Sequence, residues 1–94
     1  MFDRVRIRVE IFKETGKYVS LCPKLNVSSY GDTPEEAKEG LKEAVSLFLE
    51  ECESMGTLED VLEEAGFEHR SEPHDEWLAP HPFATEEIDI RTVA

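Results

Sequence analysis

Three histidines, His69, His74 and His81, fall with Asp75 inside a span of thirteen residues. Imidazole nitrogens with a carboxylate oxygen form a donor set that a zinc ion accepts. The spacing matches no compact finger and no cysteine lies near it, so solvated loop histidines are the plainer reading, and a stand-alone homo-oligomeric domain with a small-ligand or metal site in the His69–His81 segment stands as the alternative function. A second group of candidates is acidic: Glu35, Glu39, Glu43, Glu50 and Glu53, which fall off the apolar stripe of a predicted helix and offer carboxylates to a basic partner. A third is the alternating Arg4, Arg6 and Arg8, an outward stripe that either meets phosphate or pairs across strands with Glu87 and Asp89. Hydrolytic chemistry lacks its parts. Ser20, Ser28 and Ser29 have no histidine in their half of the chain, and near the start of the first predicted strand Asp3 is the only carboxylate. No glycine loop is built to cradle phosphate. The expectation is a protein that binds, not an enzyme, with no cofactor.

The element that must position the acidic group is a helix following the turn at Tyr30-Gly31-Asp32. Thr33 is its predicted N-cap, with Glu36 three residues on to return the bond, and Pro34 takes the first helical position. Ala37, Leu41, Ala44, Val45, Phe48 and Cys52 then recur at three- and four-residue steps, and Gly56 ends the run. Gly31, Asp32, Thr33 and Glu36 thus have turning and capping work that accounts for their presence.

Upstream, Arg4 to Phe12 alternates, with Val5, Ile7, Val9 and Ile11 expected on the buried face of one antiparallel strand. Lys13-Glu14-Thr15-Gly16 forms a hairpin connection. Lys17 to Cys22 makes a second strand with Val19 and Leu21 inward, and Pro23 breaks it. Leu25 to Ser29 makes the third, with Leu25 and Val27 inward. Downstream, Thr57 is the N-cap candidate of a short helix carrying Leu58, Val61, Leu62 and Ala65, stopped by Gly66, with Phe67 packing back on it. Glu68 to Ala84 is an extended, unpatterned segment with Pro73, Pro80 and Pro82, in part pinned by Trp77, Leu78 and Phe83. Glu87 to Val93 alternates again and is expected as a fourth strand beside the first, with Ile88 and Ile90 on one face. The fold class is α+β: a three-stranded antiparallel meander, a long helix packed on it, a short second helix and a C-terminal strand (β-β-β-α-α-β) in a single domain, residues 1–94.

The net charge of −12 is concentrated in the middle of the chain, where residues 32–68 carry thirteen acidic and two basic residues. Such a surface repels phosphate backbones and favours basic partners. Apolar runs fall short of a membrane span, and Met1-Phe2-Asp3-Arg4 lacks the apolar core of a secretory signal. Cys22 and Cys52 are too few for a disulfide scaffold, so a cytoplasmic protein with reduced thiols is expected.

The strings Tyr18-Val19-Ser20-Leu21-Cys22-Pro23-Lys24-Leu25, Ser29-Tyr30-Gly31-Asp32-Thr33-Pro34-Glu35-Glu36-Ala37 and Leu41-Lys42-Glu43-Ala44 resemble the HicB-type antitoxins and their stand-alone relatives across roughly residues 4–55. The resemblance implies a truncated RNase H-like β-β-β-α-β fold. It also implies the role of masking a small basic toxin that cleaves mRNA, and a homo-oligomer, dimer or tetramer, is expected. The family often appends a DNA-binding module. The present sequence runs from its fourth predicted strand to Ala94 without one, so no direct DNA binding is expected.

Overall fold

Thr33 starts the element on which the rest is laid. In the computed structural model, which describes residues 4–92, Thr33 holds an extended backbone, and its Oγ1 accepts a hydrogen bond from the Glu36 N–H at 3.1 Å. Helix α1 runs Pro34–Ser54, with Glu35 and Glu36 in its first turn at the positive end of the dipole. The return bond from the Glu36 carboxylate is not made, so the capping box is half formed. At the other end the Gly56 N–H donates to the Glu53 carbonyl and the Thr57 N–H to the Cys52 carbonyl, with Gly56 at φ +73°. This paired closure requires a left-handed residue. The same two bonds close helix α2 (Leu58–Glu64), from Gly66 to Glu63 and from Phe67 to Leu62, and Phe67 is buried behind it. Thr57 is the N-cap residue of α2, and its carbonyl accepts from the Val61 N–H at 2.9 Å. Its side chain makes no capping bond, because the hydroxyl donates to the Cys52 carbonyl at 3.3 Å.

Strands β1 (Arg4–Arg6), β2 (Glu10–Glu14), β3 (Lys17–Cys22) and β4 (Val27–Gly31) precede the helices, and β5 (Glu68–Arg70) and β6 (Glu76–Leu78) follow them. They form two three-stranded sheets, β2-β3-β4, which is antiparallel, and β1-β6-β5, in which β1 and β6 run parallel. The predicted first strand is therefore two, serving different sheets on either side of Ile7–Val9. The β2–β3 hairpin turns through Thr15 and Gly16, both at positive φ, as a two-residue loop requires. The third strand begins later than expected, because Pro23 to Asn26 form a turn closed by an Asn26 N–H bond to the Pro23 carbonyl. Leu25 is buried from within that turn.

Helix α1 packs across β3 and β4, and the contact reverses the expected facing of β3. Ser20 is fully buried, and its Oγ donates to the Ala37 carbonyl of α1 at 2.6 Å. Directly paired residues share a sheet face, so Ile11, Ser20 and Ser29 lie toward the helix, while Phe12, Val19 and Tyr30 form a row on the other side. Val19 and Leu21 are thus not the helix-facing residues; Ser20 and Cys22 are. The reason is closeness. A Cβ on Gly31 would come within 2.6 Å of the Glu36 Cβ, and one on Gly40 within 2.5 Å of the Ser29 Oγ. A helix seated that near the strands needs small groups beneath it.

The apolar stripe of α1 is buried as predicted at Ala37, Leu41, Val45 and Cys52, and half-buried at Ala44 and Phe48. With Cys22, Leu25, Leu58, Leu62, Phe67 and Trp77 it makes one core, to which Val5, Ile7 and Val9 add from the side. Ile11, expected inward, is 40% exposed because α1 lies over β3 and β4 and scarcely reaches β2.

The segment expected to be unpatterned carries the β5–β6 hairpin. Trp77 is buried there and Leu78 half-buried, whereas Phe83 is fully exposed. The fourth strand expected at Glu87–Val93 is absent through Thr92, with Ile88 and Ile90 at 78% and 73% exposure; Val93 lies outside the described residues. The place beside β1 is taken by β6 instead. The ladder continues by one bond, from the Ala79 N–H to the Arg6 carbonyl, and then meets Pro80 and Pro82, which have no N–H to donate. Among the described residues, no helix is long and apolar enough to cross a membrane.

Candidate functional site

The sequence-predicted partner-binding residues come together on one surface. Glu35, Glu39, Glu43, Glu50 and Glu53 are all exposed along α1. Helical residues advance by about 100° each, which places the five within an arc of roughly 80° opposite the buried stripe, over about 27 Å of helix. Among the described residues none of the five is in an ion pair. The last turn of α1 holds no basic residue, so Glu50 and Glu53 crowd the negative end of the helix dipole. Leu47, 66% exposed, stands between Glu43 and Glu50, four residues after the one and three before the other. Its signal in the sequence is an apolar residue lying off the Ala37–Cys52 stripe.

A second surface has the opposite sign. Arg4 and Arg6 of β1 pair with Glu76 and Leu78 of β6, and Arg70 of β5 pairs with Glu76 from the other side. Arg4 Nε lies 3.5 Å from Glu76 Oε2, whose residue is buried. Of the two readings of the arginine stripe, pairing with Glu87 and Asp89 is not realised: among the described residues the ion pair is Arg4 with Glu76, because β6 takes the place beside β1. Arg8 reaches His81, with Nη2 2.6 Å from Nδ1.

The histidines are dispersed by the same topology. His69 Nε2 lies 2.5 Å from Asp75 Oδ1, and its ring stacks on Trp77 at a centroid distance of 4.8 Å. His81 is against Arg8, and His74 is exposed in the connection between β5 and β6. Among the described residues, no three His, Cys, Asp or Glu side chains are grouped to hold a metal ion, so His69, His74 and His81 do not form a shared site.

Cys22 and Cys52 are free and buried. Burial pushes the Cys22 thiol up from its ordinary value, against hydrogen bonds from the backbone at Leu25 and Lys24, which disfavours the nucleophilic thiolate. Ser20 spends its hydroxyl on the Ala37 carbonyl. Asp3 lies outside the described residues. At the start of α1, Lys17 Nζ lies 2.9 Å from Asp32 Oδ1. That hydrogen bond, then the attraction of the two charges, lowers the Asp32 carboxyl and raises the Lys17 ammonium. The pair joins β3 to the loop that leads into the helix. No family model, curated protein or solved structure matches the chain.

Proposed function

We propose that this chain acts by binding, as an antitoxin-like module of the HicB type that neutralises a small basic mRNA-cleaving toxin by masking it. The observation that carries the proposal is the carboxylate strip of α1, unpaired among the described residues, with Leu47 exposed at its edge. A protein that handles RNA needs a positive surface, and a strip of carboxylates competes for that surface where phosphate would lie. Leu47 supplies an apolar anchor among charges that chiefly steer the encounter. The glutamates at the negative end of the helix dipole cost the free domain some stability, a penalty that a cationic partner relieves.

The finer fold reading, a truncated RNase H-like arrangement, belongs to the same proposal. It is supported by the antiparallel β2-β3-β4 sheet, the helix laid across it and the parallel return of β6 beside β1. So do self-association as a dimer or tetramer, supported by the uncovered Phe12-Val19-Tyr30 row, and action in the cytoplasm without direct contact to DNA, supported by the charge of −12.

The first test is the neighbouring reading frame, expected to be short and to encode a small basic protein. The second is association kinetics of that protein with the parent chain and with a variant carrying Glu39, Glu43 and Glu50 changed together to Gln. Slower association with a flatter salt dependence is expected, with the fold intact. An association rate and salt dependence equal to the parent's would remove α1 as the binding surface.

A further inference from the structure

In a chain of net charge −12, cations converge at one place. Arg6, Arg8, Arg70 and His81 line a hollow of about 370 Å³ together with Ile7, Leu78 and Ala79. The lining contains no carboxylate. Arg4, on the same face, has Glu76 as its counter-ion, but among the described residues Arg6, Arg8 and Arg70 have none within ion-pair distance. The polar groups are also of one kind. A guanidinium has donors and no acceptor. Because Arg8 must donate across its 2.6 Å contact to His81 Nδ1, the neutral ring carries its proton on Nε2 and is a donor there too. Like charges drawn together over a partly enclosed, partly apolar surface repel one another more than they do in bulk water. An anion with several acceptor oxygens would relieve that repulsion and satisfy the donors at once.

We propose that this hollow is a binding site for a phosphate-bearing small molecule, with the phosphate group held by the guanidinium groups of Arg6, Arg8 and Arg70. Phosphate presents several acceptor oxygens and up to two negative charges, which suits planar guanidinium forks better than a single carboxylate does. The volume suits a small ligand. Ile7, Leu78 and Ala79 leave an apolar wall for the rest of the molecule, and a second hollow of about 270 Å³, lined in part by Phe67, Pro80 and Pro82, adjoins across Arg8 and His81. A nucleic acid fits less well, because a tracked backbone needs a basic path and this chain is acidic elsewhere. The site is independent of the toxin-masking role proposed for α1.

The experiment is titration of the full chain with inorganic phosphate and with pyrophosphate, followed by the NMR signals of the arginine Nε–H groups and by calorimetry. Saturable binding of one pyrophosphate per chain is expected, with Arg8 and Arg70 signals shifting most. Arg8→Gln and, separately, Arg70→Gln should each weaken binding by about tenfold. Arg4→Gln should leave it within about twofold, since Arg4 is already paired. Circular dichroism establishes that each variant is folded, and the second hollow-lining variant decides the matter if the first is not. The Gln variant at Glu39, Glu43 and Glu50 should bind pyrophosphate at least as tightly as the parent. No saturation below about 10 mM pyrophosphate, or equal weakening by Arg4→Gln and Arg8→Gln, would overturn the proposal.

Discussion

The carboxylate strip on α1 and the arginine hollow beside β1 carry opposite charge, and they are assembled by opposite means. The strip's five glutamates come from one helix and are aligned by its own repeat over nineteen residues, Glu35 to Glu53. The hollow takes Arg6 and Arg8 from the first strand region, Arg70 from β5 and His81 from beyond β6, so its parts stand more than sixty residues apart until the sheet closes. One surface survives as long as a helix is wound; the other exists only while β6 sits between β1 and β5. The difference teaches where each is vulnerable.

The largest expected effect strikes the hollow. Trp77→Ala removes the buried side chain of β6 that packs with Val5 and His69, and should destabilise the domain by about 3–5 kcal/mol. Urea unfolding measures the loss, and amide exchange in β5 and β6 should accelerate more than at Leu41 and Val45. Equal acceleration in both regions would show that strip and hollow rest on one cooperative unit. Thr33→Ala strikes the strip's foundation instead. Loss of the Glu36 N–H bond should cost about 1 kcal/mol in thermal or chemical unfolding, with pyrophosphate binding at the hollow unchanged. An unchanged unfolding midpoint would mean that the cap does not hold the helix start.

The smallest effect belongs to Asp32→Asn. The folded-state carboxyl of Asp32 is lowered by its bond from Lys17, so its contribution to stability is present above the ordinary aspartate range and disappears as pH falls through the lowered folded value. The Lys17 contribution has the opposite sense, present below the ordinary lysine range and lost as pH rises through its raised value. Both groups are solvent-exposed, so the stability difference between parent and variant should be small at neutral pH, shrink in strong acid and shrink again with added salt. A difference that persists at low pH would assign the role of Asp32 to its backbone turn, not to its charge.

Sequence alone determined the parts whose bonds close within a few residues. The Thr33 cap, Pro34, the buried positions from Ala37 to Cys52, the helix stops at Gly56 and Gly66 and the positive φ of Gly16 were all legible, because each depends on neighbours along the chain, whereas the expected Lys13–Gly16 connection is shorter, Lys13 and Glu14 belonging to β2. The carboxylate strip was legible for the same reason. Tertiary structure decided what depends on a choice among distant partners. Alternation at Val19 and Leu21 marks a strand without saying which face a helix will cover, and Ser20 took the helix side because a close-seated α1 admits only small groups there. Alternation at Glu87–Val93 offered a partner for β1, yet Glu76–Leu78 took the place. Trp77 is larger than either isoleucine, and the hairpin from β5 delivers it to the core. Arg70 gave no sign of joining Arg6 and Arg8, since only that pairing choice brings them together.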